Sequence, residues 1–466
     1  VRYLSLLVAA SALSACTVGP DYQRPDAPVS ESFKELSGWK TGAPADDADR
    51  GPWWSIYNDA VLSELEAQVE VSNQSLKAQQ AAYAQAVGAA HAARAGLFPT
   101  LDATPSFKRS TAASSQKTRA VNSYDLPLTA SWDLDVWGKI RRTVEANTAN
   151  VQASAGDLAS AKLSLQAQLA IDYFELRVQD QLIRMLQAAT EAYAQSLRIT
   201  QNQYKSGVAS RADVAQAETQ LKATQASLIN VNVLRGQLEH AIAVLIGKPP
   251  ADFTIAPMEF SAFVPVSPAG VPSSLLERRP DIAAAERLVA VANANIGVAT
   301  AAYYPDLSLS AAFGYAGSYA TGLFQTANRV WSFGPQATQT IFDGGLIDAQ
   351  VEQAKAAWEQ SVANYRQTVL TGFQQVEDAL VSLKVLEQES AVQVEAVRSA
   401  HEAERLILNQ YKAGTVAYTN VVTAQTAALT DEENALTVLE NRLVASVSLI
   451  QALGGGWTVA QLPEIK

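Results

Sequence analysis

Two stretches of the chain, 139–204 and 346–411, each run for about 66 residues without a proline. Each holds a single glycine, Gly156 in the first and Gly372 in the second. At 1.5 Å per residue, an unbroken helix of that length is about 100 Å long. Ordinary globular helices span about three or four turns, so helices this long need another architecture. Leu169, Leu176, Ile183, Leu197 and Tyr204 recur every seven residues, broken only at Thr190. That spacing is the seam of a coiled coil. Abundant Ala and Gln suit closely spaced helices with wet outer faces.

The two long stretches belong to an internal repeat. "GLFPTLDATPSF" (96–107) resembles "AYYPDLSLSAAF" (302–313), with Pro99 matching Pro305 at an offset of 206. "YKSGVASRADV" (204–214) resembles "YKAGTVAYTNV" (411–421), with Gly207 matching Gly414 at 207. "DVWGK" (135–139) falls opposite "FDGGL" (342–346), again at 207. One near-constant offset at three sites makes the chain two copies of one unit of roughly 200 residues.

Each copy also carries two strand-like runs. In "SYDLPLTASWDLDVW", Tyr124, Leu126, Leu128, Ala130, Trp132, Leu134 and Val136 are apolar, while Asp125, Thr129, Ser131, Asp133 and Asp135 between them are polar. A period of two marks a strand with one apolar face. Leu307, Leu309, Ala311, Phe313 and Tyr315 alternate likewise. Trp331, Phe333, Pro335 and Ala337 mark another run, and Leu101, Ala103 and Phe107 a weaker first one. The spans expected are about 100–109 and 123–136 in the first copy, and about 306–316 and 330–342 in the second. Aromatics cluster at the run ends (Tyr124, Trp132, Trp137, Tyr303, Tyr304, Trp331), as a membrane-interface girdle requires. A half-buried soluble sheet would alternate too, but aspartates opposite an apolar face on strands of about ten residues favour a transmembrane barrel.

Around each long helix the pattern predicts shorter ones, about 59–97 and 210–246 in the first copy, and 281–303 and 419–453 in the second. A long helix flanked by two half-length helices stacked end to end puts their junction midway along a cylinder. The irregular stretches 17–58, 247–280 and 454–466 then collect there as a collar. Arg278-Arg279-Pro280-Asp281 fits a helix start, because proline and an acid suit the first turn. Four strands cannot close a transmembrane barrel, for which eight is the practical minimum. A dimer would supply eight strands, whose interior side chains fill; a trimer supplies twelve and leaves an open bore.

Composition narrows the function. The net charge of −11 argues against nucleic acid as a partner. His91, His240 and His401 are far apart, with no ligand-spaced pair, so no metal or other cofactor is expected. No acid, base and nucleophile constellation suggests an enzyme. Hydrophobic content is 48%, yet beyond the start of the chain no stretch of about 20 apolar residues stands out, so any further membrane crossing is expected to be β-barrel. The start is different. Arg2 is followed by an apolar run over 3–13 and by Leu13-Ser14-Ala15-Cys16 around the only cysteine. The run is too short to span a bilayer and reads as a secretory signal over 1–15. The tetrapeptide resembles the bacterial lipobox, in which the cysteine becomes an acylated first residue. With one cysteine, no disulfide forms within the chain. Thr17 rather than Asp after it resembles outer-membrane sorting in enteric bacteria.

Taken together, "CTVGPDYQRP" (16–25), "WWSIYNDAVLSELEAQVEVSNQSL" (53–76), "ERRPDIAAAERLVAVANANIGVATAAYYPDLSL" (277–309) and "LGGGW" (453–457) resemble outer-membrane efflux lipoproteins of the TolC family, in the branch paired with RND pumps. The resemblance covers essentially all of the mature chain. It implies an α+β membrane protein: a homotrimer with a twelve-stranded transmembrane barrel continuous with a long periplasmic helical barrel. It divides the chain into a lipoprotein signal (1–15), a lipidated extended collar segment (16–58), a first repeat (59–246), an equatorial linker (247–280), a second repeat (281–453) and a C-terminal collar segment (454–466). It implies a passive exit duct for small molecules, outer-membrane lipid at Cys16, a periplasmic adaptor and an inner-membrane pump. Such channels close at their periplasmic tips, where Gly207, Arg211, Asp213, Tyr411, Gly414 and Asn420 fall. A bond from Asp213 to Tyr411 would hold the tips shut; helix capping and surface solvation are the plainer role for Arg211, Asp213 and Tyr411. The chain departs from the family at Val416, where an arginine or an aspartate stands in other members, and at Asn420, where an inward aspartate ring is expected. A pore-less lipid-anchored scaffold and the exit duct of a type I protein secretion system are the alternatives; the alternating strands oppose the first.

Overall fold

The computed structural model describes residues 17–30, 32–36, 52–112, 119–260, 263–265 and 278–463. The signal sequence and Cys16 lie outside them. Seven α-helices and five strands organise these residues: α1 (Ala60–Ser72), α2 (Gln74–Ala95), β1 (Thr100–Ala103), β2 (Ser106–Ala112), β3 (Arg119–Leu134), α3 (Lys139–Lys205), α4 (Arg211–Leu245), α5 (Pro280–Ala301), β4 (Asp306–Gly317), β5 (Arg329–Thr338), α6 (Leu346–Lys412) and α7 (Tyr418–Ala452).

The two long helices are 67 residues each and the return helices 35 each. Both long helices start in the same way. Gly138 (φ 80°) and Gly345 (φ 91°) turn the chain out of the sheet in a conformation that favours glycine. Just before each, an aspartate caps the new helix: Asp135 accepts from the Ile140 and Arg141 amides, and Asp343 from those of Gly345 and Ile347, all at 2.8–2.9 Å. Carboxylates are favourable there because the first-turn N–H groups have no helical partner.

The helix expected over 59–97 is instead two helices. Asn73 breaks it by taking an extended backbone (ψ 125°). Its side-chain oxygen caps α2 at the Leu76 amide, while its amide nitrogen donates to the Leu245 carbonyl at the end of α4. The first strand of the sheet is also broken, because Pro105 between β1 and β2 has no N–H to donate. Both pieces pair with β3, and the sheet continues β3–β4–β5, antiparallel throughout. The last strand ends at Thr338, four residues short of its expected limit, and Ile341 and Phe342 beyond it are 90% exposed.

In the half nearer the sheet the helices lie in the order α2–α3–α5–α6; in the far half, α4 packs on α3 and α7 fits between α3 and α6. The short helices thus share slots: α2 stacks on α4, and α5 on α7. The 280–301 helix corrects the expectation of no second apolar stretch. It is long and apolar enough to cross a bilayer, but over half of its most apolar window is buried in the protein. Its packing between α3 and α6 makes it a core helix of the slab.

Candidate functional site

The sheet has two chemically distinct faces. Register places Leu128, Phe313 and Trp331 in one row across three strands, Trp132, Leu309 and Pro335 in another, and Phe107 opposite Tyr124. These side chains are uncovered: Trp331 is 73% exposed, Phe333 65% and Phe107 60%. The alternate rows carry Asp102 and Thr129, Ser131 and Ser310, and Asp133, Ser308 and Gln336. A polar face backed by an apolar one with nothing over it suits a strand wall between water and lipid. Its two edge positions, β1–β2 and β5, have no further strand within the described residues.

The helical slab also has two faces. On one lies the collar. Residues 17–30 and 32–36 run as a strap down the slab: Val18 N donates to the Trp137 carbonyl at the sheet end, Arg142 binds the Val18 and Gly19 carbonyls and Asp21, and Phe33 packs against Val376, Leu380 and Leu449. Glycines make the close approach possible, since a Cβ on Gly19 would sit 2.4 Å from the Gly297 Cα. Next to it, Trp53 and Tyr57 pack over α3 and α7 with Phe174, Leu443 and Val447, and Tyr57 donates to Ser446 at 2.9 Å. A buried charge network fastens the 247–260 segment. Arg177 and Arg235 share the Asp180 carboxylate and donate to the Ala256 and Ile255 carbonyls. Among the described residues, the collar leaves the opposite face of the slab uncovered.

The two stacking junctions are closed differently. At α2 on α4, Asn73 reaches Leu245. At α5 on α7, Arg279 donates to the Ala452 carbonyl at 3.1 Å, to Gln375 at 2.8 Å and twice to Asp281. Beyond α7 the three glycines 454–456 all have positive φ, and a Cβ on Gly454 would meet the Arg278 carbonyl oxygen at 2.0 Å. Sequence reasoning read Arg279-Pro280 as a helix start and nothing more; Pro280 does open α5, but the guanidinium is the bridge that reasoning missed. It also missed Glu66, fully buried on α1 with both carboxylate oxygens unpartnered; burial pushes its pKa up to about 9. The signal was available. Leu62, Leu65, Glu66 and Val69 share one helical stripe, and that stripe is the buried one.

At the far end the two helical hairpins come together. Gly207 (φ 77°) and Gly414 (φ 75°) make the turns. Asp213 does not bind Tyr411, which corrects that expected latch within the chain. The Asp213 carboxylate accepts from the Ser210 amide and hydroxyl at 2.8 Å, and the Ser210 hydroxyl accepts from the Asp213 amide, a reciprocal cap at the start of α4. Tyr411 is buried; its hydroxyl donates to Thr200 Oγ1 on α3 at 3.1 Å, and its ring meets Tyr418 edge-on. Arg211 pairs loosely with Glu218 at 3.8 Å, both exposed. Asn420 is exposed, and Val416 packs partly buried beside the Tyr411–Tyr418 cluster. No group of three or more His, Cys, Asp or Glu residues that could hold a metal occurs among the described residues.

Comparison with known proteins agrees with this architecture. The profile of the family described as outer membrane efflux protein matches residues 65–248 and again 271–455, one match to each repeat. The chain is similar to the probable efflux pump outer membrane protein TtgC of Pseudomonas putida, with 30% identity over 463 residues, covering 97% of this chain and 95% of that one. It is 29% identical to the outer membrane protein OprJ of Pseudomonas aeruginosa over 461 residues, covering 97% and 96%. Among solved structures it resembles the outer-membrane channel OprN (TM-score 0.86, 28% identity, 95% of this chain and 100% of that one). It also resembles the open state of the Neisseria gonorrhoeae MtrE outer membrane channel (TM-score 0.84, 29% identity, 95% and 98%). The chain belongs to the outer membrane efflux protein family: it is an outer-membrane channel component of an efflux pump, a transport duct and not an enzyme.

Proposed function

We propose that three copies of the chain close into one duct, and that a pump and adaptor on the inner side drive small molecules through it. The observation that carries this reading is the four-position antiparallel sheet with two open edges and an uncovered apolar face. In lipid every backbone N–H and C=O needs a partner, so the edges must pair with other copies. Twelve strands leave a bore where eight do not. The collar lies on one slab face, and a closed ring of slabs stays open only with that face outward. Solutes then pass the bare helical face and the Asp102, Asp125 and Asp133 side of the strands. Docking of a periplasmic adaptor falls to the tips around Gly207 and Gly414, the points of the chain furthest from the sheet.

The strap supports a lipid anchor at Cys16. Thr17, next in sequence to Cys16, lies against Gly138, where α3 leaves the sheet. A single acyl chain binds only marginally, and several anchor stably. Labelled palmitate should enter the wild type and not Cys16→Ser; equal labelling in both contradicts the anchor. The duct itself is tested in a planar bilayer. Purified protein should give discrete single-channel currents. A correctly assembled protein that passes no current under any voltage or adaptor condition would be a scaffold.

A further inference from the structure

On the bare face of the slab, where α3, α6 and α7 meet below the α5–α7 junction, lies a groove of about 910 Å³. Its place follows from helix geometry. Ser446, Val447 and Ile450 of α7 face the collar, whereas Asn441, Val444, Ser448 and Gln451 line the groove on another side of the same helix. On α6, Val376, Leu380 and Leu383 hold Phe33 of the strap, whereas Asp378, Val381, Ser382 and Val385 turn into the groove. In a ring whose collar faces outward, the groove opens to the bore.

Its chemistry is specific. Leu163, Val381, Val385 and Val444 give it an apolar wall, and Val385 is 53% exposed. Ser164 and Gln451, bonded to each other at 3.3 Å, and Asn441 give a polar border. Arg279 and Asp281 at its upper end neutralise one another through two bonds. Among the described residues, Asp378 is then the lining charge without an opposite partner: its carboxylate accepts a 3.3 Å bond from Gln374. A volume of this size holds a drug-sized molecule. An apolar wall beside one free carboxylate selects a hydrophobic body carrying one positive charge.

We propose that this groove is a resting site for amphipathic organic monocations on their way through the bore. The inference rests on the duct reading and names a substrate class for it. A transport path requires sites that bind well enough to fill and weakly enough to empty, and an exposed carboxylate on a half-open wall meets that condition.

Thiol labelling tests it without relying on conductance. In purified Val385→Cys protein, a trimethylammonium methanethiosulfonate should react faster than the sulfonate reagent by about three- to tenfold, after normalising both rates to a small free thiol and subtracting the unsubstituted protein. Tetraphenylphosphonium should slow this labelling in a saturable way, and tetraphenylborate should not. Adding Asp378→Asn should erase the charge preference, whereas Glu389→Gln, an acid of the same helix outside the groove lining, should retain it. The site is overturned by equal normalised rates, by a preference that survives Asp378→Asn, or by absence of protection by tetraphenylphosphonium. Conductance is read separately. Protein that conducts without these effects loses the site alone; protein that shows them without conducting keeps the site and loses the duct.

Discussion

The two hairpin tips share the sequence Tyr-Lys-x-Gly and the same left-handed glycine, yet they are held by different forces. The first tip is stabilised locally. Ser210 and Asp213 cap α4 reciprocally, while Tyr204 is 46% exposed and Val208 68%. The second tip has no such device: Ala417 precedes α7 without a side-chain cap. It is held by tertiary contacts instead, through Tyr411 on Thr200 and Tyr418 and through Gln203, which donates to the Tyr411 carbonyl. The junctions midway along the slab repeat the contrast in another form. One uses the neutral amide of Asn73, the other the four-bonded guanidinium of Arg279. A duplicated unit has kept its backbone and changed what secures it, and the second hairpin depends more on the rest of the chain.

That contrast is sharpest at the paired tyrosines. Tyr411→Ala removes a buried ring and should cost about 3–5 kcal/mol locally; Tyr204→Ala removes an exposed one and should stay within about 0.5 kcal/mol. Hydrogen exchange over 405–425 and over 198–214 reads both. Equal protection losses at the two tips would break the comparison.

The junctions should differ less. Arg279→Ala strips the Ala452 carbonyl and Gln375 of a charged donor and leaves Asp281 without its partner, costing about 2–3 kcal/mol. Asn73→Ala loses a cap and one buried bond, about 1–2 kcal/mol. Melting midpoints of the two variants in the same detergent should therefore fall in that order, and the reverse order would contradict the bridging role of Arg279.

Smallest is the cap. Asp213→Ala should destabilise the start of α4 by about 1 kcal/mol and leave exchange around Tyr411 unchanged. If the same variant loosened the second tip as much as the first, the carboxylate would be acting between hairpins rather than within one.

Much of this was legible in the sequence. Proline-free runs gave the long helices, period-two alternation gave the strands, and a constant offset gave the duplication, because each depends on spacing along one element. The features that escaped depend on a second element. Asn73 is an unremarkable helix residue until Leu245 stands beside it. Tyr204 and Tyr411 have the same neighbours in sequence, and only the packing of the second tip against α7, α4 and the end of α3 buries one of them. The strand expected over 100–109 ran through Pro105, and the pairing with β3 sets where it stops and resumes. For Asp213 the sequence leaves a latch to Tyr411 and a helix cap both open, and Ser210, three residues earlier, is the partner it takes.

A duct built from this chain requires each copy to form a third of the ring. Light scattering of the purified protein, corrected for bound detergent, measures that directly. Three chains per particle is the predicted mass. A stable monomer or dimer that conducts fully in a bilayer would contradict it.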